Sequence, residues 1–557
     1  MDLEKIRDML EDLNPWWNDQ KWYEKDLEVV QVLNSGIERW IRYSFRDRWI
    51  RPLLRSDNAW GVRVIRGPRR IGKTTLMKLL IKDAIEMGLD PRSIVYISLD
   101  NVDLKEAIER GDISLRRMLR KLIISNLRAH GKTLVVIDEA TFYDKWALTI
   151  KNLVDEHVIA PGVLVLVTGS YSLELSQAKR ELEGRMGILD GDDVGQRFLY
   201  PMRFVEFIEN VAQEVNDFLK NGEFYGGKLT RISTRLRIFE ELTTFGNERV
   251  FRFFEQAYDE IGRLAIGHLE EAYFYTGGFP KAIYSYVTEN RVPDENYVSF
   301  YELLIQDAGR FGLSPQVLKE LIKQKLTLCA SFETPLSNLQ IPVRRSSGGI
   351  KNLRIEEAER YLHYLVEGSR VLLCLKSLSQ AQVNNARPIT HSVAKPLKLT
   401  YLDPLMFHSL YWVSRGVKTG IYQVAKKAIR ESMLSSNENR CLFSSLYESV
   451  VCSHVVRIPM LKYGVYVENY GRGINSKEYA DCVAWYFDRG ASRYRIVPVE
   501  VTTARDIDEE KMIEKAKLTS NYLNSRLIVA SRDKMMVISK GNAEAIVIPA
   551  ALLLLFI

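Results

Sequence analysis

The segment that most narrows the possible folds reads GPRRIGKTT, from Gly67 to Thr75, and fits the pattern GxxxxGK[ST]. Its surroundings weigh as much as the match. Val62, Arg63, Val64 and Ile65 precede it as a short, mostly β-branched strand. Leu76, Leu79, Leu80, Ala84 and Met87 follow at helical spacing until Gly88 closes the helix. Strand, glycine loop and helix in that order aim backbone N–H groups and the positive end of a helix dipole at one place, which suits a phosphate. Gly67, Pro68, Arg69, Arg70, Ile71, Gly72, Lys73, Thr74 and Thr75 are therefore the expected contacts to ATP. Gly72 permits close backbone approach, Lys73 reaches the β- and γ-phosphates, and the Thr74 hydroxyl is a Mg²⁺ ligand. Arg69 and Arg70 are bulky for such a loop. Either they sense nucleotide or a partner, or they form a solvated loop tip.

A second run, TLVVIDEA from Thr133 to Ala140, reads as a buried parallel strand ending in two carboxylates. Paired with the upstream loop, Asp138 is the expected Mg²⁺ holder and Glu139 the group that polarises the attacking water. A third apolar strand, Val163 to Val167, ends in Thr168-Gly169-Ser170. Thr168 or Ser170 senses the γ-phosphate there, or the segment simply caps the strand. Strands near 62–66, 93–99, 133–138, 163–168 and 196–200, with helices between them, predict a doubly wound parallel α/β sheet. The strand at 163–168 fits an order in which the P-loop strand and the acidic strand are not neighbours.

The 557 residues exceed one core and imply several domains, with 46% hydrophobic and 27% charged residues in an ordinary globular balance. A net charge of +7, spread along the chain, permits a nucleic-acid partner without requiring one. Cys329, Cys374, Cys441, Cys452 and Cys482 form no CxxC pair, which predicts unpaired thiols in a reducing interior. The seven histidines form no HxH or HExxH group, so no zinc module is expected. The opening MDLEKIRDML is acidic and amphipathic, unlike a secretory signal. The apolar run Ala550 to Ile557 is too short to span a bilayer and is expected to be a buried terminal strand. A cytoplasmic protein with no membrane partner is the expectation.

Several of these segments together resemble an archaeal-type AAA-like P-loop ATPase family. They are LNPWW (Leu13 to Trp17), GPRRIGKTTL, VVIDEA, VTGSYSLEL, LEGRMG, RFLYPMRFVEFIE, FYTGGFPKAI (Phe274 to Ile283), KLTYLDPLMF (Lys398 to Phe407) and SLYESVV (Ser445 to Val451). The resemblance covers nearly the whole chain; its ATPase motifs are specific, and the later ones are individually weak but in order. It implies that Arg185 meets nucleotide phosphate, within the chain or across to a neighbouring subunit, where a guanidinium stabilises transition-state charge. The alternative is a structural or surface arginine. It also implies that residues 204–300 form a helical lid over nucleotide, interrupted at Thr276 to Pro280.

The resulting division is an N-terminal helical segment (1–58), a P-loop ATPase core (59–203), the lid (204–300), a winged-helix-like domain (301–415) and a PD-(D/E)xK-like α/β domain (416–557). The winged-helix reading rests on the helix Ile355 to Leu365, a basic stretch from Arg344 to Lys351 before it and an apolar strand, Val371 to Leu375, after it. Glu356, Glu357 and Glu359 would repel phosphates, so DNA and protein partners both stay open. In the last domain, a helix carrying Glu448, a strand carrying Asp481 and a strand ending near Glu500 follow the layout of a metal-dependent nuclease. Where an active enzyme of that layout has lysine, this chain has Thr502, which cannot supply a positive charge. Lys511, Lys515 and Arg505 are the nearby basic residues that could replace it. The expected reaction is ATP + H₂O to ADP + phosphate, with nucleotide state coupled to DNA or protein partners. An ATP-gated nuclease and a slow nucleotide-switched interaction module are the alternatives.

Overall fold

The aliphatic runs flanking the glycine loop become strands β1 (Trp60–Arg66), β2 (Ile94–Ser98), β3 (Thr133–Asp138) and β4 (Val163–Thr168). They belong to a computed structural model that describes residues 3–37, 39–169, 179–189, 196–334, 336–339, 341–344, 350–375, 397–434, 440–458, 470–474, 477–488 and 493–557. β3 and β4 are buried over their full length, as parallel strands covered on both faces must be. The order is β2-β3-β4-β1, all parallel. The short β5 (Gly187–Ile188) runs antiparallel to the start of β1, and β6 (Gln196–Phe198) pairs parallel with its end. β4 thus separates β1 from β3. The register sets Ile65 beside Thr168 and Ile137 beside Val167, so β1, β3 and β4 finish level at one edge.

The helices that accompany these strands include α1 (Leu3–Leu10), α2 (Leu27–Ser35), α3 (Trp40–Phe45), α4 (Arg51–Arg55), α5 (Lys73–Glu86), α6 (Val102–Glu109), α7 (Leu115–His130) and α8 (Trp146–Asp155). Alternate strand residues, among them Val62, Val95, Val135 and Val165, share one core with Leu10 of α1, Leu122 of α7 and Leu153 of α8. The N-terminal helices therefore pack with the sheet, in a compact unit comprising Met1–Tyr200 and Glu367–Ser369. After α1, the LNPWW segment lies along the outer side of β2. Asn14 donates to Tyr96 O at 2.9 Å and accepts from Tyr96 N at 2.6 Å. Trp16 and Trp17 donate their indole N–H groups to Ile94 O at 3.3 and 2.7 Å.

The second unit, Pro201–Val366 with Arg370–Ile557, begins as helices from Phe204–Val211 to Asp294–Arg310. The expected break falls between Thr276 and Pro280. Gly277 has φ 56°, and a Cβ there would come within 2.0 Å of Asp403 Oδ1, so glycine is required. Asp403 accepts from Gly278 N and, as N-cap of helix Pro404–Val413, from Leu405 N. Next come helix Pro315–Leu321, strand Ser331–Thr334, a hairpin of Pro342–Arg344 with Ile350–Asn352, helix Ile355–His363, and strands Leu372–Leu375 and Leu397–Tyr401. The strand Leu397–Tyr401 lies antiparallel between Leu372–Leu375 and Ser331–Thr334. Part of the basic stretch before the helix, residues 345–349, lies outside the described residues.

The C-terminal sheet runs Tyr470–Ile474, Lys477–Asp488, Arg493–Thr502, Leu527–Ser531, Ala543–Pro549, Met536–Lys540, with helix Glu509–Leu523 packed on it. Two expectations fail here. The apolar terminus is not a strand: Pro549 ends the last central strand, and Ala550–Leu554 coils into a short buried helix. Nor are the cysteines all free, because Cys452 and Cys482 are disulfide-bonded, with Cα atoms 5.6 Å apart, and Cys329 is also in a disulfide. The first pair joins a helix to a strand across 30 residues, a proximity that no local spacing announces. Cys374 is buried and takes no part in a disulfide. Among the described residues, no helix is long and apolar enough to cross a membrane.

Candidate nucleotide-binding site

The loop from β1 to α5 turns on two left-handed residues, Arg70 (φ 61°) and Gly72 (φ 85°), the second being the N-cap of α5. Alternation of this kind turns successive N–H groups inward and forms an anion-binding concavity. Gly67 is equally constrained: a Cβ would lie 2.7 Å from Leu199 O. Lys73, only 6% exposed, donates to the carbonyls of Gly67 at 3.0 Å and Pro68 at 2.9 Å, which stiffens the loop around its ammonium. From outside, Arg39 binds the carbonyls of Ile71 and Tyr200. Thr75 Oγ1 lies 3.5 Å from Glu28, whose neighbour Asp26 pairs with Lys78 of α5 at 2.8 Å.

Thr74 Oγ1 donates to Asp138 Oδ2 at 2.7 Å, so the loop hydroxyl and the carboxylate ending β3 meet. Asp138 is 1% exposed. It also accepts from Tyr96 OH at 2.9 Å and from Glu139 N at 2.9 Å. Burial, and then the neighbouring Glu139 charge, push its carboxyl above the usual range, while the Thr74 and Tyr96 bonds act the other way. The Tyr96 phenol is itself pushed far up by burial and by Asp138. Glu139 holds φ 48°, an uncommon conformation for a residue with a side chain and one found at functional turns.

At the end of β4, Thr168 is fully buried and its hydroxyl has no hydrogen-bond partner. A buried hydroxyl costs free energy unless something bonds to it. Thr141 Oγ1, on the loop after Glu139, is also buried without a partner, and a Cβ on Gly169 would lie 3.1 Å from it. Ser170 lies outside the described residues. Arg185 is on the surface of the unit, bonded to Asp155 at 2.6 Å and to Glu183 O at 3.3 Å. The residues present fit Mg²⁺–ATP: an anion cradle, a buried lysine, a hydroxyl–carboxylate pair and an unpartnered hydroxyl at one sheet edge.

Tyr96 and Thr141 are the parts that sequence reasoning missed. The one signal for Tyr96 was a phenol in an otherwise aliphatic strand, IVYIS. In the other unit, Glu448 and Asp481 share a lysine, Lys398, and Asp481 stands opposite Glu500. Lys515 pairs with Glu500 at 2.5 Å, whereas Thr502 stands aside and accepts from Ala504 N at 3.3 Å.

A family model described as an AAA domain, AAA_14, matches residues 60–208. Among solved structures the chain is similar to the ORC2 protein of Aeropyrum pernix, at 15% identity, covering 69% of this chain and 94% of that one, with a TM-score of 0.33. A Walker-type ATPase of Pyrococcus abyssi gives 13% identity, 66% and 95% coverage, and a TM-score of 0.33. Cdc6p from Pyrobaculum aerophilum gives 14%, 70% and 93%, with a TM-score of 0.22. Likenesses this distant carry no argument about function. No curated protein matches. The family match and the loop geometry agree, and residues 60–208 are a P-loop domain of the AAA type, a nucleotide-binding class.

Proposed function

We propose that the protein is a Mg²⁺-dependent ATPase that converts ATP and water to ADP and phosphate and couples nucleotide state to a DNA or protein partner. The observation that carries this reading is the half-buried Thr74–Asp138 contact on the strand next to the one that ends in the unpartnered Thr168 hydroxyl. Thr74 and Asp138 are the residues to hold Mg²⁺, which when bound offsets phosphate charge. Lys73 exchanges the carbonyls of Gly67 and Pro68 for phosphate oxygens. Glu139 orients and polarises the attacking water, and Thr168 binds the γ-phosphate. Arg185 adds positive charge at the phosphates after leaving Asp155, or does so for a neighbouring subunit.

Helix, strand, hairpin, helix and two strands between residues 315 and 401 support a winged-helix-like segment, and with it a macromolecular partner. The test is Mg²⁺-dependent ATP hydrolysis, with and without duplex DNA, in wild type, Lys73→Ala and Glu139→Gln. Both variants should lose turnover by about 10²-fold or more, with Glu139→Gln still binding ATP. Normal turnover in Glu139→Gln removes that residue from the mechanism. Stimulation by DNA selects the nucleic-acid partner, and indifference selects a protein partner.

A further inference from the structure

Strands Lys477–Asp488 and Arg493–Thr502 are antiparallel, and the register that pairs Cys482 with Val499 sets Asp481 opposite Glu500. Their side chains leave the same face of the sheet. Helix Arg440–Val455 brings Glu448 to the same spot, because one ammonium touches both Glu448 Oε1 and, at 3.2 Å, Asp481 Oδ1. That ammonium is Lys398, which comes from the separate three-stranded sheet and is 6% exposed. It also donates to the Asp481 carbonyl at 3.0 Å. Burial opposes the charge, but Asp481 and Glu448 more than offset it and hold the lysine above its ordinary range. Asp481 Oδ2 is taken by Val501 N at 2.8 Å.

Glu500 uses one oxygen for Lys515, and its side chain is 6% exposed. Its other oxygen, Oε2, is buried with no hydrogen-bond partner. Carboxylates gathered from a helix and two strands are the donor set for a hard divalent cation. Yet among the described residues no three His, Cys, Asp or Glu side chains converge as a metal ion needs. A lysine stands where they would meet.

We propose that the Lys398 ammonium occupies the divalent-cation position of a nuclease-like carboxylate site, so that this domain excludes Mg²⁺ and Mn²⁺ and uses the acids to clasp strand Leu397–Tyr401 to the C-terminal sheet. The inference rests on the nuclease-like reading of residues 416–557 and is independent of the ATPase.

The experiment is Mn²⁺ binding to the full chain without nucleotide, followed by electron paramagnetic resonance. Wild type should show no Mn²⁺ site that depends on Asp481. Lys398→Met should gain one, and Lys398→Met with Asp481→Asn should lose it again. An Asp481-dependent site in wild type overturns the exclusion while leaving the nuclease-like reading intact. A folded Lys398→Met that gains no site overturns that reading too. Thermal melting decides the matter if Lys398→Met does not fold. Asp481→Asn should then melt lower than wild type by the same amount in Mn²⁺ and in chelator. A gap between the two proteins that widens in Mn²⁺ overturns the proposal.

Discussion

Tyr96 donates its phenolic proton to Asp138 Oδ2 at 2.9 Å, tying the outermost strand of the sheet to the carboxylate that ends the next one. The bond favours the ionised carboxylate, so Tyr96→Phe should raise the Asp138 pKa further. A hydrogen bond to a charged group is worth about 1.5–3 kcal/mol, which corresponds to a loss of about tenfold or more in Mg²⁺-dependent kcat/KM. The acid limb of the pH–rate profile should move to higher pH. An unchanged profile would show that the phenol has no part in setting Asp138.

Thr168 separates a structural role from a functional one. Its buried hydroxyl has no partner, so Thr168→Val should leave the melting temperature unchanged or raise it slightly. Turnover should nevertheless fall by about 10²-fold, with ATP binding retained, as the proposed contact to the terminal phosphate requires. Calorimetry and single-turnover hydrolysis on the same variant check both halves. Lost stability with normal turnover would make Thr168 a strand cap.

Glu270, on helix Arg263–Thr276, is pushed by burial from 4.5 to about 8. Between those values the folded protein keeps a proton that the unfolded chain has released, so its contribution to stability is present below pH 4.5 and lost as pH rises through about 8. His408, pushed down by burial to about 4, acts in the opposite sense between about 4 and 6.5. The cleanest window is therefore pH 6.5 to 8, where denaturation midpoints of wild type should fall relative to Glu270→Gln. Parallel curves for the two proteins across that window would refute the assignment.

The Cys452–Cys482 bridge closes a loop of 30 residues, for which chain entropy predicts about 3–4 kcal/mol. The double variant Cys452→Ala, Cys482→Ala should lower the denaturant midpoint accordingly. Both cysteines are fully buried, so part of any loss comes from packing. A loss well under 1 kcal/mol would mean that the two thiols sit together without a bond that matters.

The loop, its two acids and the insertion of β4 between β1 and β3 were legible because each lies in a short contiguous run whose pattern repeats the chemistry. What stayed hidden was made by contacts between distant segments. Asn14 reaches Tyr96 across 82 residues, and Lys398 reaches Asp481 across 83. The octapeptide at the C-terminus failed for another reason: an apolar run fits a buried helix as well as a strand, and Pro549 tips the choice. LNPWW stood out as a motif, but nothing in it says which backbone groups it will satisfy.

That motif has a consequence for how the ATPase core can exist alone. β2 is the last strand of its row, and Ile94 and Tyr96 direct carbonyl and N–H groups outward, where Asn14, Trp16 and Trp17 occupy them. A core trimmed to begin at residue 59 would bare those groups as a template for a foreign strand, the usual route to edge-to-edge aggregation. The LNPWW segment thus acts as a built-in guard against self-assembly, and solubility of the isolated core should hinge on Asn14, Trp16 and Trp17.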